Sequence, residues 1–149
     1  MDIERDAPVL ETGEIVVEAP ADITWETLAD LQSWPEWFSG VRQIRIEGEV
    51  GLGAHFKWKV GGASLQSELV SFEPGRAIGW TGRFLGISAV HLWRIEPIGT
   101  SARVLSEESW KGFIPRAFTS RSRRTVRRAT ENGLATLKEE AERRAASIA

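Results

Sequence analysis

The 149-residue sequence contains no cysteine and only two histidines, His55 and His91. Without cysteine the chain has no disulfide bond, no thiol nucleophile and no thiolate ligand for a metal. Two histidines are too few to suggest a zinc site. We therefore predict no metal and no cofactor, and any chemistry would rest on one or two isolated groups.

The sequence also has no apolar run that approaches the ~20 residues of a membrane-spanning helix. Its N-terminus carries Asp2, Glu4 and Asp6 instead of the basic and apolar segments of a signal peptide. We expect a cytoplasmic protein without a membrane span. With 42% hydrophobic and 27% charged residues, the composition is typical of one globular domain that buries a core of its own.

Charge is distributed unevenly along the chain. Residues 1–110 carry 9 basic and 17 acidic side chains, whereas residues 111–149 carry 10 basic and 4 acidic ones. Between residues 116 and 128 there is no acid, and six arginines occur there: Arg116, Arg121, Arg123, Arg124, Arg127 and Arg128. The run is either a solvated helix face against an acidic sheet or a weak contact with an anionic ligand or membrane surface. Nucleic acid is not expected, because no binding motif accompanies the run and the chain is acidic overall.

In the middle of the chain, apolar and polar residues alternate with the two-residue period of a β-strand. Short turn-rich segments separate the strands, which predicts antiparallel hairpins. A further strand at Thr12–Glu18 precedes two short helices, one capped by Asp22 and one by Ser33. Phe72 is out of phase, which suggests a bulge near Val70. The six predicted strands are Val41–Glu49, Ala54–Val60, Ser64–Glu73, Arg76–Gly82, Ile87–Pro97 and Ser101–Trp110.

Residues 114–146 have the period of a single long helix, and residues 1–11 are expected to be a flexible N-terminus. The order βααββββββα predicts one α+β domain over residues 1–149, with a seven-stranded antiparallel sheet. Only the long helix is large enough to cover one face of this sheet. Because a curved sheet against a single helix cannot close completely, we expect a cavity between them.

Aromatic residues recur two positions apart in the predicted strands. Residues i and i+2 of a strand point to the same face, so each pair places its side chains together. The pairs are Phe56 and Trp58, Ile78 and Trp80, His91 and Trp93, and Glu108 and Trp110. An apolar face with a few polar groups suits a small-molecule pocket, but it also suits an ordinary core.

Four segments of the sequence resemble the START-like (SRPBCC) superfamily, within it the bacterial polyketide cyclase/dehydrase and lipid-transport group. They are IVVEAPADITWETLADLQSWPEWFSGV at residues 15–41, ELVSFEPGRAIGW at 68–80, HLWRIEPIG at 91–99 and GLATLKEEAE at 133–142. The resemblance implies the helix-grip fold, in which a curved sheet wraps a long C-terminal helix. It also implies a cavity for a small hydrophobic, aromatic, polyketide-like or lipid-like ligand.

Combined with the strand phase, the resemblance predicts the residues that line this cavity. Ser67 and Ser106 could orient a ligand through their hydroxyls, or could only fill space. His55 is out of phase with its neighbours and should face solvent. The predicted ligand-binding residues are Trp37, Phe56, Trp58, Ser67, Leu69, Ile78, Trp80, Ala89, Trp93, Ser106, Trp110, Phe118 and Val126.

His91 and Glu108 are the candidate catalytic residues. An apolar setting would keep His91 neutral, so that it could accept a proton in a cyclisation or dehydration, with Glu108 as the acid. Alternatively, His91 is a hydrogen-bonded core residue, and Glu108 pairs with an arginine or reaches water. Two functions therefore stay open: a module that binds a hydrophobic ligand, and a cyclase or dehydratase that needs no metal or nucleotide.

Overall fold

A computed structural model of the protein describes residue 3 and residues 5–148. It contains seven strands and four α-helices among these residues, with a 3₁₀ turn at Leu31–Ser33. The strands are β1 Val9–Val17, β2 Val41–Glu47, β3 His55–Val60, β4 Ala63–Glu73, β5 Ala77–Phe84, β6 Ile87–Ile98 and β7 Ser101–Lys111. The helices are α1 Ala21–Ala29, α2 Trp34–Trp37, α3 Phe113–Ala117 and α4 Thr119–Ile148.

All seven strands form one antiparallel sheet in the order β1-β7-β6-β5-β4-β3-β2. Consecutive strands from β2 to β7 are neighbours, as their short connections predict. The register shifts between Leu69 and Ser71, which is the bulge predicted near Val70. The predicted α+β architecture, with two short helices between the first two strands and a long helix across the sheet, is confirmed.

The structure differs from three local predictions. Residues 9–11, predicted as part of a flexible tail, belong to β1, whose first residue Val9 pairs with Trp110; residues 1, 2 and 4 of the predicted tail lie outside the described residues. The helix predicted over residues 114–146 is two helices, broken at Phe118, whose φ of −127° and ψ of 58° are not helical. Helix α1 has Pro20 at its N-cap, which places Asp22 within the first turn.

Helix α4 lies on the concave face of the sheet and is tightly packed there over its second half. Gly133 allows this approach, because a Cβ at that position would lie 3.3 Å from Phe38 Cε1 and 3.4 Å from Trp93 Cη2. Below the helix, Trp34 is fully buried and contacts Phe56 and Trp80. The buried stripe of α4 consists of Ser122, Val126, Thr130, Gly133, Leu134, Leu137 and Ala141.

Candidate functional site

A cavity of about 450 Å³ lies between the first half of α4 and the concave face of the sheet. This volume is within the range of small-molecule sites. Most of its wall is apolar, and the helix contributes the more polar side. The lining residues are Phe38, Ser39, Gly40, Val41, Trp58, Val60, Gly61, Ala63, Leu65, Trp80, Gly82, Phe84, Ala89, His91, Glu108, Trp110, Thr125, Arg128, Ala129 and Asn132.

Small residues in the middle of the sheet leave room for this cavity. Gly82 of β5 and Ala89 of β6 are direct cross-strand partners, and both are buried on the inner face. Trp80, two residues before Gly82, forms one wall, and Trp58 forms another at a ring-centroid distance of 6.1 Å. The Trp58 indole N–H donates to the Ser67 hydroxyl at 2.9 Å, which fixes the ring. The cavity is therefore deepest over the small side chains of the sheet and lies between two indoles, of which Trp58 is held by a hydrogen bond.

His91 and Glu108 face each other across strands β6 and β7 inside the cavity. His91 Nδ1 lies 3.0 Å from Glu108 Oε1, and the two side chains are only 10% and 12% exposed. The Trp110 indole N–H donates to Glu108 Oε2 at 2.6 Å. His91 Nε2 lies 2.8 Å from the Ser106 hydroxyl oxygen. Four residues thus form one hydrogen-bonded chain from Ser106 to Trp110.

Burial disfavours charge on both members of this pair. Desolvation lowers the pKa of His91 to about 3. Desolvation raises the pKa of Glu108 to about 7, against the opposing effect of the hydrogen bond from Trp110. The neutral pair is therefore the favoured state, with the Glu108 carboxyl donating to His91 Nδ1. In that state His91 Nε2–H donates to Ser106; when Glu108 is ionised and the neutral ring carries its proton on Nδ1, the Ser106 hydroxyl donates to Nε2 instead.

The hydrogen bonds of His91 and Glu108 decide which of these two side chains is available to a ligand. Both ring nitrogens of His91 are engaged within the protein, by Glu108 and by Ser106. Each carboxyl oxygen of Glu108 contacts one group, His91 Nδ1 or the Trp110 indole N–H, and retains a further lone-pair direction. Glu108 is thus the group that can contact a ligand, and His91 is its proton partner behind it.

Six of the predicted site residues lie together around the cavity: Trp58, Trp80, Ala89, His91, Glu108 and Trp110. Ser67 and Ser106 are buried and are used to hold Trp58 and His91. Trp37 stacks on Phe38 and donates to Ser33, outside the cavity wall. Four further residues of the predicted lining are packed in the core instead of lining the cavity: Phe56, Leu69, Ile78 and Trp93.

The helix side of the cavity was predicted with the wrong phase. Val126 is fully buried against the sheet, and Phe118 is 53% exposed at the helix break. The cavity is lined instead by the adjacent face of α4, which carries Thr125, Arg128, Ala129 and Asn132. The reason is that α4 packs on β1, where Gly13 lies against Thr130 and Leu134, and so turns its apolar stripe away from the cavity.

Sequence reasoning also missed the residues that provide space. Gly40, Gly61 and Gly82 line the cavity but stand in or beside predicted turns, where glycine has a simpler explanation. The signal that could have identified Gly82 is its place on the inner face between Trp80 and Phe84, where a large residue would continue the pattern. Phe38, the residue after α2, forms part of the wall.

The arginine run is divided between two environments. Arg123 and Arg127 pair with Glu11 of β1, at 3.8 and 3.3 Å, as expected of a helix face against an acidic sheet. Arg128 lines the cavity. The contact of Arg116–Arg128 with an anionic surface stays a prediction.

Among the described residues, no group of three or more acidic, histidine or cysteine side chains could hold a metal ion. None of the helices in that part of the chain has both the length and the apolar character to cross a bilayer.

A family model described as polyketide cyclase/dehydrase and lipid transport matches residues 11–142. The chain belongs to this family. The description points to hydrophobic small molecules as the ligand class. No curated protein matches the sequence.

Solved structures support the fold at low sequence identity. A hypothetical protein from Helicobacter pylori has a TM-score of 0.82 at 17% identity, covering 93% of this chain and 91% of its own. The ZhuI aromatase/cyclase from Streptomyces sp. R1128 has a TM-score of 0.76 at 20% identity, covering 91% and 94%. A START superfamily protein from Mycobacterium smegmatis has a TM-score of 0.71 at 13% identity, covering 94% and 99%. The predicted START-like resemblance and helix-grip fold are confirmed.

Proposed function

We propose that the protein binds a small hydrophobic molecule, with an aromatic or polyketide-like body and at least one hydroxyl or carbonyl group, in the cavity beneath α4. The observation that carries the proposal is an apolar, indole-walled cavity with a single buried carboxyl–imidazole pair in its wall. The apolar wall would take up the body of the ligand, and the free lone pairs of the Glu108 carboxyl would accept a hydrogen bond from a ligand hydroxyl.

Ala89 offers a direct test of this proposal. In Ala89→Trp an indole would fill the floor opposite Gly82, so binding should weaken at least tenfold. Val90→Trp is the matched control, because Val90 is the next residue of β6 and points to the outer face. We suggest 2-naphthol as the probe, with binding followed by calorimetry. Equal affinities in the wild type and both variants, or no saturable binding at all, would reject the proposal.

The second candidate function is acid–base catalysis on the bound molecule, as in cyclisation or dehydration. The observation that favours it is the contact between His91 Nδ1 and Glu108 Oε1 at 3.0 Å inside the cavity. Glu108 would transfer its carboxyl proton, which otherwise lies on the bond to His91 Nδ1, to a leaving hydroxyl oxygen of the ligand, which departs as water. The carboxylate would then take up the proton that the adjacent ligand carbon loses as the double bond forms, while Ser106 holds the His91 ring in place.

Substitutions of His91 and Glu108 distinguish ligand binding alone from catalysis. For the catalytic function, Glu108→Gln should retain affinity for a polyketide-like substrate and lose turnover by on the order of 10²–10⁴-fold. His91→Asn should lower turnover and shift its pH profile, because it would remove the proton partner and not the contacting group. If no substrate is turned over while binding persists, the protein is a binding module only.

A further inference from the structure

The cavity reaches the end of the sheet that carries the β3–β4 and β5–β6 turns, where the exposed Gly40 and Gly61 line it. This end also carries three exposed large apolar side chains. Leu85 is 90% exposed in the β5–β6 turn, Phe113 is 73% exposed at the start of α3, and Phe118 is 53% exposed at the helix break. They belong to one corner of the fold, because Ile114 N donates to Gly86 O at 3.4 Å and Phe118 N donates to Ile114 O at 2.8 Å. Exposed apolar side chains grouped in this way mark a contact surface.

Leu85 occupies a position that suits leucine poorly. Phe84 pairs directly with Ile87, so the turn between β5 and β6 has only two residues. Both have positive φ angles, 28° for Leu85 and 74° for Gly86. Such tight turns favour asparagine followed by glycine, and a leucine there is strained. Neither the turn nor water favours a leucine here, which points to a contact of Leu85 outside the chain.

The strand register brings cations that are distant in sequence toward this same end. Arg45 lies opposite Lys57, Lys57 opposite Gln66, and Gln66 opposite Arg83, in one row on the outer face. Like charges directly opposite each other are unfavourable in a sheet. None of these three cations forms an ion pair among the described residues. Arg83 lies beside Leu85 and Phe113 in a shallow surface depression.

The helices supply cations on the other side of the same end. Arg121 shares a groove with Phe118, Trp110 and Thr125. Trp110 and Thr125 also line the ligand cavity, so this groove adjoins the cavity mouth. The guanidinium groups of Arg116 and Arg121 form no ion pair with another described residue. The apolar corner is thus flanked by unpaired cations and lies next to the opening.

We propose that this surface docks on a lipid bilayer that contains anionic lipids, with the cavity mouth facing the membrane. We define the mouth patch as Leu85, Phe113, Phe118, Arg83, Arg116 and Arg121. Its apolar side chains would enter the interfacial region while its arginines bind lipid phosphates.

Two observations favour lipid over a protein partner. The three apolar side chains project from a turn, a helix start and a helix break, and so would enter a fluid interface without a matching groove. The charge distribution would also orient the molecule, because residues 111–130 carry seven basic and no acidic side chains while the rest of the chain is acidic.

Vesicle sedimentation with the full chain tests this proposal without a known ligand. The protein should bind vesicles of phosphatidylcholine with phosphatidylglycerol, should bind phosphatidylcholine alone weakly, and should dissociate as salt rises. The double variant Arg83→Gln, Arg121→Gln should lose roughly fivefold in affinity per charge removed. The triple variant Leu85→Asn, Phe113→Ser, Phe118→Ser should also lose binding. Leu85→Asn alone should leave the melting temperature equal or higher, because asparagine suits the turn.

Matched controls lie at the opposite end of the sheet. Leu52 is 71% exposed in the β2–β3 loop, and Arg76 is exposed in the β4–β5 turn, so Leu52→Ser and Arg76→Gln should bind like the wild type. The proposal is overturned if no vesicle binding occurs at low salt, or if the controls lose as much as the mouth-patch variants. It is also overturned if the mouth-patch variants dissociate an oligomer of this chain in gel filtration while vesicle binding is unchanged.

Discussion

The sheet carries two histidine–glutamate pairs across neighbouring strands, one on each face. His55 lies opposite Glu68 on the outer face, and His91 lies opposite Glu108 on the inner face. The closest nitrogen–oxygen distances are similar, 3.2 Å in the outer pair and 3.0 Å in the inner pair. The outer side chains are 62% and 45% exposed, and the inner ones 10% and 12%. Residue types and register are the same, and the environment differs.

The comparison shows that burial, and not residue identity, makes a candidate acid–base pair. The outer pair is solvated, and a surface contact of this kind contributes little to stability. The inner pair is removed from water, has additional partners in Ser106 and Trp110, and faces a cavity. A shift of one residue in the strand phase would exchange the two environments.

The two pairs should differ most in how much the free energy of unfolding falls when the glutamate is replaced by alanine. Glu108→Ala would leave His91 Nδ1 and the Trp110 indole N–H without partners in an apolar site, and should lower the free energy of unfolding by about 3 kcal/mol. Glu68→Ala should lower it by less than about 1 kcal/mol. Urea unfolding at neutral pH measures both values. Similar losses in the two variants would remove the distinction between the pairs.

The pH dependence of stability should be the next largest difference. Because its folded pKa is raised from 4.5 to about 7, Glu108 contributes stability that is complete below pH 4.5 and is lost as the pH rises through 7. The lowered pKa of His91 acts oppositely, and its contribution is lost as the pH falls from 6.5 through 3.

Between pH 4.5 and 6.5 the two effects should nearly cancel in the wild type. In Glu108→Gln the His91 effect should stand alone, so stability should rise with pH by about 1–3 kcal/mol relative to the wild type. Denaturant unfolding at several pH values measures this, with Glu68→Gln as the control. Parallel profiles for the wild type and Glu108→Gln would contradict the assigned shifts.

The smallest difference between the two pairs should be in how their coupling energies respond to salt. Double-mutant cycles on each pair should give a coupling below about 1 kcal/mol for His55 and Glu68, decreasing at high salt. The coupling between His91 and Glu108 should be insensitive to salt, because ions do not enter the apolar site. A buried coupling that decreases with salt as the surface coupling does would mean that the cavity pair is solvated.

Much of this arrangement follows from the sequence, but its helix side does not. Period-two phasing places His55 outside and His91 inside, and it brings Trp58, Trp80 and Trp110 to one face. Their common face is a local property of each strand. Whether a residue on that face lines a cavity or the core depends on where the helix lies, which is a tertiary property.

The position of α4 rests on features with no clear periodic signature. The break at Phe118 resets the helical phase, and Gly13 and Gly133 permit close packing that turns Thr125 and Arg128 toward the cavity. Whether His91 and Glu108 are in contact could not be predicted from the sequence, because the register of β6 and β7 depends on a turn at residues 99–100. Similarly, Gly82 looked like the end of a strand and is part of the cavity floor.

The most direct test of ligand binding uses the indole N–H signals of the seven tryptophans in a ¹H–¹⁵N spectrum. On titration with 2-naphthol, the signals of Trp58, Trp80 and Trp110 should shift in a saturable manner, because these indoles line the cavity. Trp25, which packs on Phe72 outside it, should be unaffected, and Ala89→Trp should abolish the shifts. Shifts spread evenly over all tryptophans, or an unchanged response in Ala89→Trp, would contradict binding beneath α4.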